Sequence, residues 1–270
     1  MGKIEVLIID SNGFYHKNYT ALANLEYYGN KVGGLYGYIR NLIYKLKELG
    51  LSFADTYHCF DLHGRVKRAQ IYAGYKGTRQ RIKEPDFLSL LSELEMFLLS
   101  VGANVAKAEG YEADEVIAYL VKVFSNEGKR VGILSDDKDL LQLLDYNGVV
   151  LYTKDGALTK SNLKSRFGVE SGKEWLYVKC LMGDTSDNIT GFDGIGLKTA
   201  LKIVADPQEL EKYKKTELFE RNLQLMNLLD VEVKDLTIKK GQRDKQKALF
   251  IINKYGMKSL LKMLEEVKGW

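Results

Sequence analysis

Twice the sequence carries a short, β-branched apolar run straight into an aspartate: Ile4 to Ile9 (IEVLII) ends on Asp10, and Thr56 to Phe60 ends on Asp61. Runs of this length and composition read as buried strands, so two strands each deliver an acid at the C-terminal end. Ala103 to Ala106, Val131 to Leu134 and Val149 to Tyr152 read as further strands. Between them lie amphipathic patterns at Leu35 to Leu49, Phe87 to Val101, Ala113 to Asn126 and Leu140 to Leu144. The alternation predicts an α/β fold with a mostly parallel central sheet flanked by helices. After about Lys160 strand signals fade. Helical patterns at Trp175 to Met182, Thr199 to Ala205, Leu218 to Leu229, Lys245 to Tyr255 and Ser259 to Val267 predict a smaller helical C-terminal domain. The expected division is therefore an α/β core over 1–160 and a helical domain over 161–270. Only two prolines and no low-complexity tract lie in the chain, so the two are expected to pack closely.

In open α/β sheets ligands gather beyond the carboxyl ends of the strands, where Asp10, Asp61, Asp137 and Asp139 are expected. The segment GYEADEV adds Glu112, Asp114 and Glu115 at the start of a helix whose lead-in residue is not yet helical, so all three can turn to one side. MGDTSDNI adds Asp184 and Asp187 at i and i+3, expected to share one helical face. Two unit charges 4 Å apart repel by about 4 kcal/mol at an effective dielectric near 20, so nine carboxylates around one cleft require cations. An oxygen-only donor set suits Mg²⁺ or Mn²⁺. The three histidines lack ligand spacing, and Cys59 and Cys180 stand alone as buried free thiols, which argues against a zinc site or a disulfide framework. Singly, each acid is more often a solvated charge or a helix cap; their joint placement at strand ends reverses that reading.

Directly after Asp61, the stretch from Leu62 to Lys83 carries Arg65, Lys67, Arg68, Lys76, Arg79, Arg81 and Lys83 with no acid, interleaved with Tyr72 and Tyr75. A cationic, aromatic-bearing segment beside a metal cluster suits a phosphate backbone and stacked bases. Setting the nine clustered acids aside leaves 27 acidic residues against 40 basic ones, a polyanion-binding balance that the net charge of +4 conceals. Further on, residues 189–202 read ITGFDGIGLKTALK, with Gly191, Gly194 and Gly196 in a tight hairpin and Lys198 and Thr199 entering a helix. Backbone N–H groups at such a turn form a phosphate site, and the spacing resembles a helix-hairpin-helix DNA-binding element.

In these residues the sequence resembles the flap endonuclease family, specifically the phage enzymes and the 5′ nuclease domain of bacterial DNA polymerase I. The likeness runs from Asp10 to about Lys202 through LIIDSNG, CFD, YKGTR, GYEADEV, SDDKDLLQLL and GDTSDNITGFDGIGLKTA, in the family's order. It implies a PIN-like 5′ nuclease core with a basic helical arch at about 62–84. Asp10, Asp61, Glu112 and Asp114 would be ligands of a first metal, and Asp137, Asp139, Asp184 and Asp187 would form the second group. Glu115 stands where the bacterial motif usually has Asp. Lys76 and Arg79 would be the catalytic arch residues at the scissile phosphate. Lys17, Arg65, Arg68, Tyr75, Arg81 and the hairpin residues would grip DNA, with K⁺ at the hairpin carbonyls. The implied activity is Mg²⁺-dependent cleavage of phosphodiesters near single-strand to duplex junctions, as flap endonuclease and 5′-3′ exonuclease, on DNA with a 5′ flap, nick or 5′ end, or on RNA paired to DNA.

Two readings compete. A PIN-type ribonuclease shares the acidic α/β cleft but gives no reason for the hairpin, and a non-catalytic junction-binding protein would gain nothing from gathering acids against a polyanion. A haloacid-type phosphatase would need a second Asp two residues after Asp10, where Asn12 stands. No apolar run approaches the ~18 residues of a membrane span and no signal peptide opens the chain, so a cytoplasmic, monomeric, stand-alone nuclease of phage type is expected.

Overall fold

The structure is a computed structural model and describes residues 2–62, 66–78 and 85–270, to which every structural statement below refers. Five parallel strands form the centre of one sheet: β1 (Val6–Asp10), β2 (Thr56–Cys59), β3 (Asn104–Ala108), β4 (Val131–Leu134) and β5 (Val149–Thr153). Two antiparallel strands close its edges, β6 (Gly156–Leu158) beside β5 and β7 (Leu236–Lys240) beside β3. The order is β7-β3-β2-β1-β4-β5-β6, so the chain reverses its direction of winding between β1 and β4. A crevice opens at such a switch point, beyond the carboxyl ends of the strands.

Alternation along β1 shows why the sheet is buried on both faces. Val6 and Ile8 enter one apolar core while Leu7 and Ile9 enter the other. On the Leu7 side lie α1 (Ser11–Ala21), α2 (Gly33–Leu49) and, beyond the four-residue α3 (Arg68–Ile71), α4 (Pro85–Ser100). On the Ile8 side lies α5 (Ala113–Asn126). α1 was not expected, because SNGFYHKNYTA has no clear apolar stripe. It forms because Asp10 caps it and because α2 approaches closely at Gly34 and Gly37, where a Cβ would come within 2.7 Å of Tyr15 and Asn18 respectively.

The later part of the chain contributes α6 (Leu163–Phe167), α7 (Gly172–Met182), α8 (Leu197–Ala205), α9 (Pro207–Lys214), α10 (Glu217–Met226), α11 (Lys245–Lys254) and α12 (Ser259–Glu265). Its helices pack into both cores of the sheet. Leu176, Phe219 and Leu228 share a core with Ile8 and Val116, whereas Ile251 and Leu260 share the other with Leu7 and Leu42. β7, read as part of a helical region, instead joins the sheet, held by its backbone ladder from Leu236 opposite Ala108 to Lys240 opposite Asn104. Its side chains are mostly exposed, which is why LTIKK carries no buried-strand signal. The pattern at Leu140 to Leu144 is real but belongs to a tighter 3₁₀ helix over Lys138–Asp145. Both cysteines are free and buried, and no helix among the described residues is long and apolar enough to cross a membrane.

Candidate active site

Each strand end hands its acid to the start of a neighbouring helix, and this fixes the carboxylates in place. Asp10 ends β1 and caps α1, accepting from Gly13 N–H at 3.0 Å, while its second oxygen accepts from Ser135 Oγ at 2.9 Å just past β4, across the switch point. Asp61 follows β2 and accepts from Ala113 N–H at 2.8 Å, at the first turn of α5. Asn12 accepts from the Asp61 N–H at 2.9 Å and ties the two strand ends together. Glu112 is the extended cap of α5, and Glu115 closes a capping box by accepting its N–H at 2.9 Å. One carboxylate oxygen from each of Glu112, Asp114 and Glu115 lies within 4.8 Å of the others. Asp137 caps the 3₁₀ helix, accepting from Asp139 N–H at 2.8 Å.

Asp184 and Asp187 also reach this crevice, but not on a helix. Gly183–Asp184 pairs with Ile189–Thr190 as a two-residue antiparallel ladder, and the intervening turn folds Asp187 N–H back to Asp184 at 3.2 Å. The i, i+3 spacing therefore closes a turn where a helical turn was expected.

Charge in the cluster is held in two opposite ways. Burial, then neighbouring acids, raises the carboxyls of Asp10, Asp61, Glu115 and Asp139 above the usual range. Asp137 is pushed up to about 7 by burial and by Asp139. At Asp114 burial also pushes upward, but the Arg68 and Lys76 cations outweigh it and hold the group low. Asp184 falls to about 2 because hydrogen bonds from Lys179 and Ser186 overcome its burial. The negative charge of Asp114 acts on Asp10, Asp61, Asp137 and Asp139 alike, so the acids form one electrostatic unit. An all-oxygen donor set, convergent ligand atoms and carboxyls raised by burial and by one another fit hard divalent cations.

Protein cations already partner several of these acids. Arg68 Nη1 lies 3.0 Å from Glu112 and 2.7 Å from Asp114, with Nε 3.9 Å from Glu115. Lys76 Nζ lies 2.6 Å from Glu112 and 3.8 Å from Asp187. Lys179 bridges Asp139 at 3.0 Å and Asp184. Tyr75 Oη donates to Glu112 at 2.5 Å, with Asp187 at 3.2 Å.

Arg68 and Tyr75 are thus corrected. Both are buried among the acids and not presented to a phosphate backbone. Lys179 was missed; its only signal is that it sits five residues before Asp184 on the helix leading into the turn. Lys17 is at the rim, paired with Asp136 at 2.6 Å. Of the arch expected at 62–84, residues 66–78 fold over the cluster, anchored by Lys76 N–H on Asp187 O at 2.8 Å. Arg65, Arg79 and Arg81 lie outside the described residues.

Beneath Asp10 runs a fully buried polar chain whose directions can be assigned. Thr56 Oγ1 donates to Phe53 O at 2.6 Å, so it accepts from His58 Nε2 at 2.9 Å. His58 Nδ1 then accepts from Tyr38 Oη at 2.7 Å, which accepts from Ser11 Oγ at 2.8 Å. Every hydroxyl and ring nitrogen is satisfied with a neutral imidazole, and burial lowers the His58 pKa to about 3.

The glycine hairpin follows the Gly183–Thr190 ladder directly, with Phe192 N–H donating to Leu181 O at 2.8 Å. Gly194 has φ +70°, whereas Gly196 has an ordinary φ of −93° and caps α8 with open space around it. Gly194, Gly196, Lys198 and Thr199 are exposed. Gly191 is not of this set, because a Cβ there would meet the Met182 carbonyl at 2.1 Å; its role is close packing against α7.

Residues 5–168 match the family model described as 5′-3′ exonuclease, N-terminal resolvase-like domain. The 5′-3′ exonuclease of Aquifex aeolicus is 33% identical over 96% of this chain and 95% of its own length. The thermostable DNA polymerase I of Thermus thermophilus is 34% identical over 77% of this chain, which spans 25% of that protein. A structure of the bacteriophage T5 flap endonuclease with DNA and metal ions has the same fold, with TM-score 0.65, 19% identity and 97% of each chain covered. A doubly wound sheet whose strand ends converge acids, matched by a family model over most of the chain and by a full-length relative, establishes the kinship: this chain belongs to the 5′-3′ exonuclease family.

Proposed function

We propose that the chain is a divalent-metal-dependent, structure-specific 5′ nuclease. It hydrolyses a phosphodiester near a single-strand to duplex junction, acting on 5′ flaps, nicks and 5′ ends of DNA and on RNA primers paired to DNA. The observation that carries this reading is the convergence of acids from five separate chain segments on one crevice, beside a cationic segment that folds over it. The relatives support it, since one is named a 5′-3′ exonuclease and another, a flap endonuclease, was solved with DNA and metal ions.

Asp10, Asp61, Glu112, Asp114 and Glu115 would hold one Mg²⁺, and Asp137, Asp139, Asp184 and Asp187 another, with Mn²⁺ as a substitute. Cations bound there supply water activation at neutral pH and neutralise charge on the phosphate. The protein's own residues do the rest. Arg68 keeps Asp114 ionised and fixes the carboxylates of the first group, and Lys179 holds Asp184 ionised and ties it to Asp139. Lys76, paired with Glu112 at the edge of the cluster, would neutralise charge on the scissile phosphate. Arg79 would assist it. Lys17 and the exposed backbone at Gly194, Gly196, Lys198 and Thr199 bind phosphates of the duplex, K⁺ at the hairpin carbonyls adding to that grip. The ribonuclease alternative leaves this exposed hairpin without a role. The test is a gel comparing flap, nicked, blunt and single-stranded substrates with Mg²⁺ and with EDTA. Mg²⁺-dependent release of the 5′ flap at the junction is expected, and equal cleavage of unstructured single strands would overturn the assignment.

A further inference from the structure

At the opposite end of the sheet lies a basic surface that the active site does not use. β7 runs antiparallel to β3, so its last residue, Lys240, pairs with Asn104, the first residue of β3, while the Glu112 end of β3 lies at Ala108. Four residue steps at about 3.3 Å separate the two ends, roughly 13 Å. Where the chain leaves β7 it lines an open cleft of about 710 Å³ between the end of α4 and the start of α11. Lys239, Lys240, Arg243, Lys245 and Lys247 are all exposed here.

The backbone of this cleft is pinned. Gly241 N–H donates to Ala103 O at 3.0 Å, and a Cβ at Gly241 would meet that same oxygen at 2.4 Å. Asp244, the one acid of the segment, is used as the cap of α11, accepting from Lys247 N–H at 2.9 Å. Lys239 lies 3.9 Å from Glu95. Among the described residues, Lys240, Arg243, Lys245 and Lys247 form no ion pair, and Lys245 Nζ stands 5.3 Å over the Trp270 ring. Cations held without counter-charges on a fixed backbone, with an aromatic ring beside them, fit a phosphodiester strand.

We infer that this cleft is a second contact for the single-stranded arm of the branched substrate, an inference that rests on the function proposed above. A duplex is excluded as the occupant of both places at once. Its persistence length of about 50 nm prevents it from turning round the sheet edge within so short a path, whereas a single strand can. The path round the sheet edge is longer than the strand itself, so an arm of two nucleotides falls short of the cleft and a long arm reaches it.

The test compares junction substrates with single-stranded arms of 2 and 20 nucleotides, bound in Ca²⁺, for the wild type and for the triple variant Lys240→Glu/Arg243→Glu/Lys247→Glu. The corresponding triple alanine variant serves if the acidic one does not fold. The wild type should bind the long arm more tightly, and the variant should lose that gain while binding the short arm as the wild type does. For the long arm, the slope of log K against log salt should fall by about 2, three contacts at about 0.7 each. An equal gain from arm length in both proteins, or no gain in the wild type, overturns the inference. Cleavage of the same substrates in Mg²⁺, run in parallel, separates this from failure of the nuclease reading, which would show as no cleavage at all.

Discussion

His58 offers a clean perturbation because it is fully buried and neutral, hydrogen-bonded through both ring nitrogens to hydroxyls alone. Its pKa is about 3 in the folded chain against an ordinary value of 6.5. Between those values the unfolded chain binds a proton that the folded chain refuses, so stability must rise with pH across the window and fall as acid is added. The full effect approaches 5 kcal/mol at about 1.4 kcal/mol per pKa unit, and about 2 kcal/mol of it is lost between pH 7 and pH 5. Other groups oppose it. The raised carboxyls of Asp10, Asp61 and Asp137 take up protons more readily in the folded chain, and so favour folding as pH falls through the same range. The comparison is therefore with His58→Gln, in which those carboxyls remain and the imidazole is gone. Urea unfolding in EDTA, followed by circular dichroism at both pH values, gives the stability gap between the two proteins. That gap should move by about 2 kcal/mol against the wild type on going to pH 5. A gap constant to within about 0.5 kcal/mol would refute the buried neutral imidazole.

Four substitutions probe the site and the hairpin. Arg68→Met should lower the stability of the metal-free protein by about 3 kcal/mol, because it strands buried carboxylates, and Mg²⁺ should restore part of the loss; identical melting with and without Mg²⁺ would contradict the counter-cation role. Lys76→Ala should slow single-turnover cleavage more than it weakens binding, and a loss of affinity alone would reduce Lys76 to a tether. Gly194→Val should cost roughly 1–2 kcal/mol of stability, since a β-branched residue must take φ +70°. Gly196→Val should fold normally and weaken binding to long duplex arms; denaturation midpoints and duplex-binding constants together check the pair.

Much of this architecture was legible because burial on both faces of a parallel sheet leaves near-continuous apolar runs, and Val131–Leu134 and Ala113–Asn126 fall where the sequence places them. What escaped was carried by backbone and tertiary packing. β7 depends on a ladder to β3 rather than on buried side chains, and α1 depends on a cap and on close approach to α2. The nine acids were legible by type and position, but their environment was not. Whether a cation such as Arg68 faces a phosphate or a carboxylate depends on how a four-residue helix docks, which local sequence does not encode. Likewise, i and i+3 spacing served a helix and a turn equally well until the Gly183–Thr190 ladder selected the turn for Asp184 and Asp187.

The central claim is that acids gathered at the switch point carry the chemistry and not the grip on DNA. It is tested most directly by single-turnover cleavage of a 5′-flap substrate in Mg²⁺ by the wild type and by Asp10→Asn, with binding of the same substrate measured in Ca²⁺. Asp10→Asn should cut the rate by at least about a thousandfold, some 4 kcal/mol of barrier, and leave binding within a few fold. Undiminished cleavage by Asp10→Asn, or a loss of binding large enough to explain the lost rate, would contradict it.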